Sequence, residues 1–162
     1  MAPPSSDVAL PGVHARRACV LSLGDRTLAV DVRESREVVI LDTLTPVPGA
    51  PAPLLGVANL RGSVLAVADA RATLGMAPRA VAPGTPAIVL AAGGLEAAMP
   101  IDGVIGLEWF DAPLPADDLT DDALEPFAAG VLPRSGDPVI LLDAARLLHA
   151  LRAPWARSGP EA

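Results

Sequence analysis

Apolar and polar residues alternate along this chain in short runs broken by glycine and proline, and that two-residue period predicts β-strands. Residues 18–23 and 27–32 read as two strands joined by Gly24-Asp25-Arg26, with a register set by Leu21, Leu23, Val30 and Val32. A helical turn and then a strand are expected over 33–41. Pro46, Pro48, Pro51 and Pro53 next enforce an extended loop that cannot donate to a ladder. Strands follow at 55–60 and 63–68, hinged at Arg61-Gly62, and Asp69 is placed to cap a short helix ending at Gly75. Beyond a Pro/Ala linker at 77–86 come strands at 87–92 and 95–101, an extended run from Ile101 to Phe110, a polar acidic loop over 111–126 and a strand at 138–142. Asp143 can cap a final helix whose stripe of Ala144, Leu147, Leu148 and Leu151 is stopped by Pro154.

The second half of this pattern repeats the first. Gly56, Val57, Gly62, Asp69, Ala70 and Leu74 fall on Gly130, Val131, Gly136, Asp143, Ala144 and Leu148 at a constant offset of 74. Upstream, Leu21, Gly24, Val32 and Val38 fall on Leu90, Gly93, Ile101 and Leu107 at an offset of 69. The chain therefore reads as a disordered tail over 1–17, a domain over 18–152 with related halves at 18–76 and 87–152, and a tail over 153–162. The surface between the halves is the first place to look for function. Many short strands with glycine turns argue for small closed barrels, and the helices are too few and short to act as crossovers.

At 162 residues the chain holds one compact domain or two intimately packed subdomains. With no tyrosine and only Phe110, Phe127, Trp109 and Trp155 as aromatics, the core must be built from Val, Leu, Ile and Ala. A net charge of −7, with arginine as the only strong base, argues against nucleic-acid binding, which needs clustered positive charge. The single cysteine, Cys19, cannot form an internal disulfide and reads as a small buried hydrophobe in a reducing compartment. The N-terminus lacks a positive start followed by an apolar stretch, and no run approaches bilayer length, so a cytoplasmic protein is expected.

Candidate chemistry is sparse. The histidines are His14, in the expected tail, and His149, in the last helix, and neither makes a convincing base for Cys19 or a serine, so no catalytic residue is assigned. Asp117, Asp118, Asp121, Asp122 and Glu125 lack the glycine-centred spacing of a calcium loop and read as a solvated acidic loop, so neither metal nor cofactor is expected. Asn59-Leu60-Arg61-Gly62 is different, since it sets an arginine and an asparagine at a strand turn within an apolar segment. Arg61 either lays its methylene stem over apolar surface or offers its donor fork to a partner's carboxylate or carbonyls.

The segment GVANLRGSVLAVADARATLG (56–75) resembles the strand-turn-strand signature of CheW-like chemotaxis adaptor domains. LAVDVRESREVV, TPVPGAP, IDGVIGL and GDPVILLDAARLL extend the likeness over about residues 18–152. The resemblance implies a mainly β fold of two intertwined five-stranded SH3-like barrels with short helices and a C-terminal helix. It also implies a non-catalytic scaffold that bridges chemoreceptor signalling tips and a CheA-type histidine kinase, in the cytoplasm or recruited to membrane-associated receptor arrays. Carried over by position, Asn59, Leu60, Arg61 and Gly62 would lie at or near the receptor-binding groove between the barrels. Val30, Val32, Ser35 and Val38 would form a kinase-binding edge.

The chain departs from the family pattern at Ser35, where an apolar residue is usual, at Ala66 in place of proline and at Ala70 in place of leucine. The hydroxyl would weaken a hydrophobic contact, and the two alanines would leave the fold underpacked. These departures motivate an alternative, a divergent protein that has lost one partner and acts as an insulator or competitor. A small-molecule-binding barrel is a further alternative, disfavoured by the shortage of aromatics and acid/base pairs.

Overall fold

A computed structural model describes residues 16–117, 119–134 and 138–158, with side chains through residue 153. The first half carries β1 (Arg16–Leu23), β2 (Arg26–Asp31), a 3-10 turn (Val32–Glu34), β3 (Ser35–Leu41), β4 (Leu54–Leu60) and β5 (Ser63–Ala68). The second carries β6 (Thr85–Ala92), β7 (Leu95–Pro100), β8 (Gly103–Phe110), β9 (Ala128–Leu132), β10 (Val139–Leu142) and α1 (Ala144–Ser158).

Hydrogen bonding sorts the strands into two five-stranded mixed sheets that do not follow the halves. Module I runs β8-β1-β2-β10-β9 and module II runs β3-β6-β7-β5-β4. Advancing every strand of module I by half the repeat gives module II in order, so the duplication is topological as well as sequential. Even the parallel contacts correspond, Leu141 opposite Ala29 in module I and Val67 opposite Ala98 in module II. The halves 18–76 and 87–152 are therefore not the subdomains. Each half lends a hairpin, β1–β2 or β6–β7, to the sheet completed by the other half.

Closure uses a device present once per module. The chain leaving β3 turns back to bond with β4, Thr45 and Val57 exchanging backbone hydrogen bonds of 2.9 and 2.8 Å. The chain leaving β8 does the same to β9, with both bonds between Leu114 and Val131 at 2.9 Å. Each crossing passes over a glycine. A Cβ on Gly56 would lie 2.3 Å from the Thr45 carbonyl oxygen, and one on Gly130 would lie 2.6 Å from Pro113 Cβ.

The lent hairpins are buried on both faces, which explains why β1 and β6 read as nearly continuous apolar runs. Cys19, Leu21 and Leu23 of β1 and Ile88 and Leu90 of β6 point into one large core shared by the modules. Ala18 and Val20 face a smaller core inside module I, with Phe110, Leu132 and Leu141, while Ala87 and Val89 face the core of module II, with Leu41 and Val67. The seam between modules is thus mostly packed hydrocarbon, onto which α1 lays Leu147, Leu148 and Leu151. Each fully buried Leu or Ile side chain contributes about 1.5–3 kcal/mol.

Polar contacts fasten the two points where the chain passes between modules. At the passage from β2 to β3, Glu34 Oε2 accepts a 3.1 Å hydrogen bond from the Ala144 N–H at the start of α1. Burial, with help from Asp143 and Asp31, pushes the Glu34 carboxyl above its ordinary range, and the Ala144 hydrogen bond only partly opposes this. At the passage from β7 to β8, Asp102 accepts from Arg71 at 2.9 and 3.3 Å and from the Gly24 N–H at 2.6 Å, with Arg79 on its outer side.

The strand order agrees with the alternation, and several local expectations need correction. β1 starts at Arg16, because Arg16 and Arg17 pair with Phe110 and Trp109 of β8, so the last two residues of the expected 1–17 tail are strand. No helix follows Asp69. Its carboxylate caps the Arg71 N–H at 3.0 Å, but the chain makes successive tight turns and leaves at Gly75, whose φ of 76° breaks the helical path. Strand β9 is not announced by alternation, since its five residues, Ala128–Leu132, are uniformly small or apolar and include Gly130. α1 runs through Pro154 to Ser158, with nearly three turns already formed before the proline removes one donor. The 1–15 segment with His14, the residues Asp118 and Gly136, the Trp155 side chain and the end of the tail from 159 lie outside the described residues.

Two outcomes follow from these contacts. Gly56→Ala and Gly130→Ala should each lower stability by about 1–3 kcal/mol or more, since the crossing backbone must move to admit a methyl. Urea denaturation of the two variants checks this, and a loss at one site without the other would show that the closures are not equivalent. Arg71 foremost holds the Asp102 carboxyl below its ordinary range, with Gly24 and Arg79 assisting against desolvation. A lowered folded value means the stabilisation is complete above the unfolded value of about 3.9 and is lost as pH falls through the folded one. Asp102→Asn should cost on the order of 3 kcal/mol near neutral pH, because buried Arg71 loses its counter-charge. Urea midpoints of the variant and the parent should converge as pH falls below about 4, and a constant gap would rule the ion pair out as the cause.

Candidate docking surfaces

The β4–β5 hairpin is closed by two residues, Arg61 and Gly62, with φ values of 54° and 84°. Left-handed backbone at both positions matches the twist of a tight hairpin and explains the glycine. Asn59 holds the turn, its Oδ1 accepting a 3.0 Å hydrogen bond from the Gly62 N–H. With the backbone fixed this way, Arg61 projects into solvent with its side chain 82% exposed, and its Nη2 lies 2.9 Å from Glu37 Oε2 on β3. Such an exposed pair is worth about 0.2–1 kcal/mol, so it orients the guanidinium without burying it. Of the two readings open for Arg61, the extended stem over apolar surface does not describe this geometry.

The turn belongs to a cleft of about 470 Å³ between the β3 and β4 edges of module II, lined by Val38 to Thr43 and Ala58 to Arg61. Asn59, Leu60 and Arg61 are thereby brought together with Val38, while Gly62 forms the tip of the hairpin. The cleft lies within one module and not in the groove between two.

The four residues expected at a kinase edge do not form one surface. Val30 has no exposed area and sits in the shared core, so it cannot touch a partner, because β2 is an interior strand of module I. Val32 lies half-buried in the 3-10 turn. Ser35 is half-buried too, and its Oγ donates to the Val32 carbonyl at 3.4 Å. Val38 alone is open, at 41% exposure, with Ile40 beside it on the same face of β3 and Val64 on β5.

A second apolar stripe escapes sequence reading. Val104, Ile105, Leu107 and Trp109 of β8 are exposed, as is Leu114 beyond it, and the Arg17 guanidinium stacks 5.3 Å from the Trp109 ring centre. The repeat offset of 69 carries Val38 onto Leu107 and Ile40 onto Trp109, so the edge strands of both modules present equivalent apolar faces. Period-two alternation shows which residues share a face. It does not show that β3 and β8 lie at sheet edges, which would have marked the face as open.

Of the two small residues expected to leave space, Ala70 is fully buried in the shared core, and Ala66 borders an apolar cavity of about 440 Å³ between β4, β5, β7 and α1. Chemistry is not assembled here. Cys19 is buried, and burial raises its thiol pKa. His149 lies on the outer face of α1 beside Gly93. Among the described residues, no group of three or more His, Cys, Asp or Glu side chains could hold a metal ion. Asp121 of the acidic loop is spent on the Ala123 and Leu124 N–H groups and on Arg26.

Fold and surfaces together define a two-module β protein with exposed apolar edge strands and an exposed arginine turn. The chain belongs to the CheW-like domain family, whose model matches residues 17–152. It is 33% identical over 132 residues to the chemotaxis protein CheW of Rhizobium meliloti (strain 1021), covering 79% of this chain and 84% of that protein. It is 32% identical over 133 residues to the protein FrzA of Myxococcus xanthus, covering 80% and 83%. The scaffolding protein TtCheW from Thermoanaerobacter tengcongensis has the same fold, with a TM-score of 0.70 at 24% identity over 82% of this chain and 91% of that one. As a member of this family the chain is a non-catalytic scaffold of chemotaxis signalling. No helix among the described residues is long and apolar enough to cross a membrane.

If the apolar stripes serve as docking faces and not as core, polar substitution there should leave folding intact. Val38→Ser, Leu107→Ser and Trp109→Ser are each expected to change unfolding free energy by no more than about 0.5 kcal/mol, whereas Leu21→Ala and Leu90→Ala should cost about 2–5 kcal/mol. Thermal and urea unfolding of the five variants would separate the classes.

Proposed function

We propose that this protein bridges chemoreceptor signalling tips and a CheA-type histidine kinase in the cytoplasm, and that it joins membrane-associated receptor arrays through those partners. The observation that carries the reading is the Arg61 turn. An exposed guanidinium is held in a defined direction by Glu37 and by an Asn59-capped hairpin, next to the open apolar face of Val38 and Ile40. A planar donor fork beside apolar surface suits a helix tip that offers carboxylate or carbonyl oxygens together with aliphatic side chains. Receptor contact is assigned to Asn59, Leu60, Arg61 and Gly62. Kinase contact is assigned to the β3 edge around Val38, with Val32 and Ser35 at its margin, and Val30 is removed from it by its burial on β2.

An insulator that has lost one partner was suggested by Ser35. The engagement of that hydroxyl with the Val32 carbonyl weakens the case, because its proton is already used within the chain.

Arg61→Glu reverses the charge at the turn and places it against Glu37. Recovery of a receptor signalling-tip fragment on immobilised protein should fall at least about tenfold, with the thermal transition nearly unmoved because exposed charge contributes little to stability. Equal recovery by both proteins would remove Arg61 from the receptor site. In the same reconstitution the parent should raise kinase autophosphorylation, and a decrease would favour the insulator.

A further inference from the structure

Arg71 is one of only two charged residues buried among those described, and nothing in the docking surfaces uses it. Its guanidinium, 5% exposed, reaches from the turn after β5 in module II to Asp102, at the point where the chain passes from β7 in module II to β8 in module I. The same carboxylate accepts from the Gly24 N–H in the β1–β2 turn of module I, and the Asp102 N–H donates to the Ser22 carbonyl at 2.9 Å. Four hydrogen bonds thus converge on one side chain from three separate segments of chain.

The rest of the seam is different in kind. The shared core is aliphatic, and hydrophobic attraction is non-directional, so it holds the modules together without selecting an angle as sharply as charge-assisted hydrogen bonds do. The other passage is fastened by the single Ala144 N–H to Glu34 hydrogen bond and carries no ion pair between modules among the described residues. The repeat partner of Asp102 is Arg33, which pairs with Asp31 two residues away in its own segment. Of the ion pairs among the described residues, those of Asp102 alone join a module II segment to this passage and, through Gly24, to the lent hairpin of module I.

We propose that Asp102 is a positioning residue that fixes the angle between the two modules, and thereby the joint placement of the Arg61 turn on module II and the Trp109 stripe on module I. The structural half stands on the contacts alone. The functional half rests on the bridging reading above and adds to it the exposed Trp109 stripe of module I as a further contact face, because only a protein with contacts on both modules needs the angle held.

The test uses the full chain in a Cys19→Ala background, with spin labels at Ser63→Cys on module II and Asp111→Cys at the end of β8. The distance distribution is measured by pulsed electron resonance for the parent, for Asp102→Asn and for Arg79→Gln, the last on a side chain 69% exposed and so safe for folding. A single narrow distribution is expected for the parent, and a shifted or broadened one for both variants. Affinities for a receptor-tip fragment alone and for the kinase alone should stay within about twofold, while stimulation of the kinase in the three-component mixture falls about tenfold, the signature of lost coupling and not of lost binding.

Parental distance distributions in both variants would overturn the proposal. So would altered distributions with undiminished stimulation, for its functional half, or single affinities that fall in step with thermal stability, which would mark the cluster as a structural support only. If Asp102→Asn does not fold, Arg79→Gln decides the matter by the same measurements. If the parent itself binds neither partner, the bridging reading fails, while the distance measurement still judges the angle.

Discussion

A strand buried on both faces has no spare register, and two such strands, β1 and β6, stand at the centre of this molecule. A slip of one residue in β1 would exchange Cys19, Leu21 and Leu23, which fill the shared core, with the other face of the strand, where Ala18 and Val20 suit the smaller core of module I. β6 is bound in the same way by Ile88 and Leu90 on one face and Ala87 and Val89 on the other. The division of labour is by volume, since large aliphatic residues face the seam and small ones face the module interiors. Lending a hairpin across the seam makes each sheet depend on the opposite half of the chain, so neither half has a complete sheet of its own.

That arrangement determines where the surface chemistry falls. With the lent hairpins taking interior positions, β3 and β8 are pushed to sheet edges, and every second side chain of theirs faces water although many are apolar. Exposed aliphatic and aromatic residues on edge strands invite association with other chains. Natural proteins blunt such edges with charge, and here Arg36, Glu37 and Glu108 interrupt the stripes and form ion pairs with Glu96, Arg61 and Arg134. The stripes are thus kept selective by charged neighbours, as expected of a scaffold that must meet particular partners.

Carboxylates serve the inside of the fold in a different way from the surface. Glu34, Asp102 and Asp143 each satisfy backbone N–H groups at the junctions of modules and helix, positions that an aliphatic seam cannot serve. Their opposite pKa directions follow from their partners. Asp102 has guanidiniums to neutralise it, whereas Glu34 is desolvated beside two other carboxylates. These three carboxylates are therefore architectural.

The periodicity of the chain, its constant repeat offsets and its glycines were enough to determine short strands, a duplicated β architecture and the tight turn at Arg61-Gly62, because strand period and backbone sterics are local properties. The same information placed Cys19 in the interior and identified a likeness to CheW-like domains. Which strands pair is not local. The exchange of hairpins between modules, the burial of Val30 on an interior strand, the exposure of Leu107 and Trp109 on an edge and the meeting of Arg71 with Asp102 all depend on contacts between residues far apart in sequence. A valine reads the same in either setting, and only the tertiary structure, by assigning each strand to the centre or the rim of a sheet, decided which apolar residues hold the protein together and which remain free to meet another.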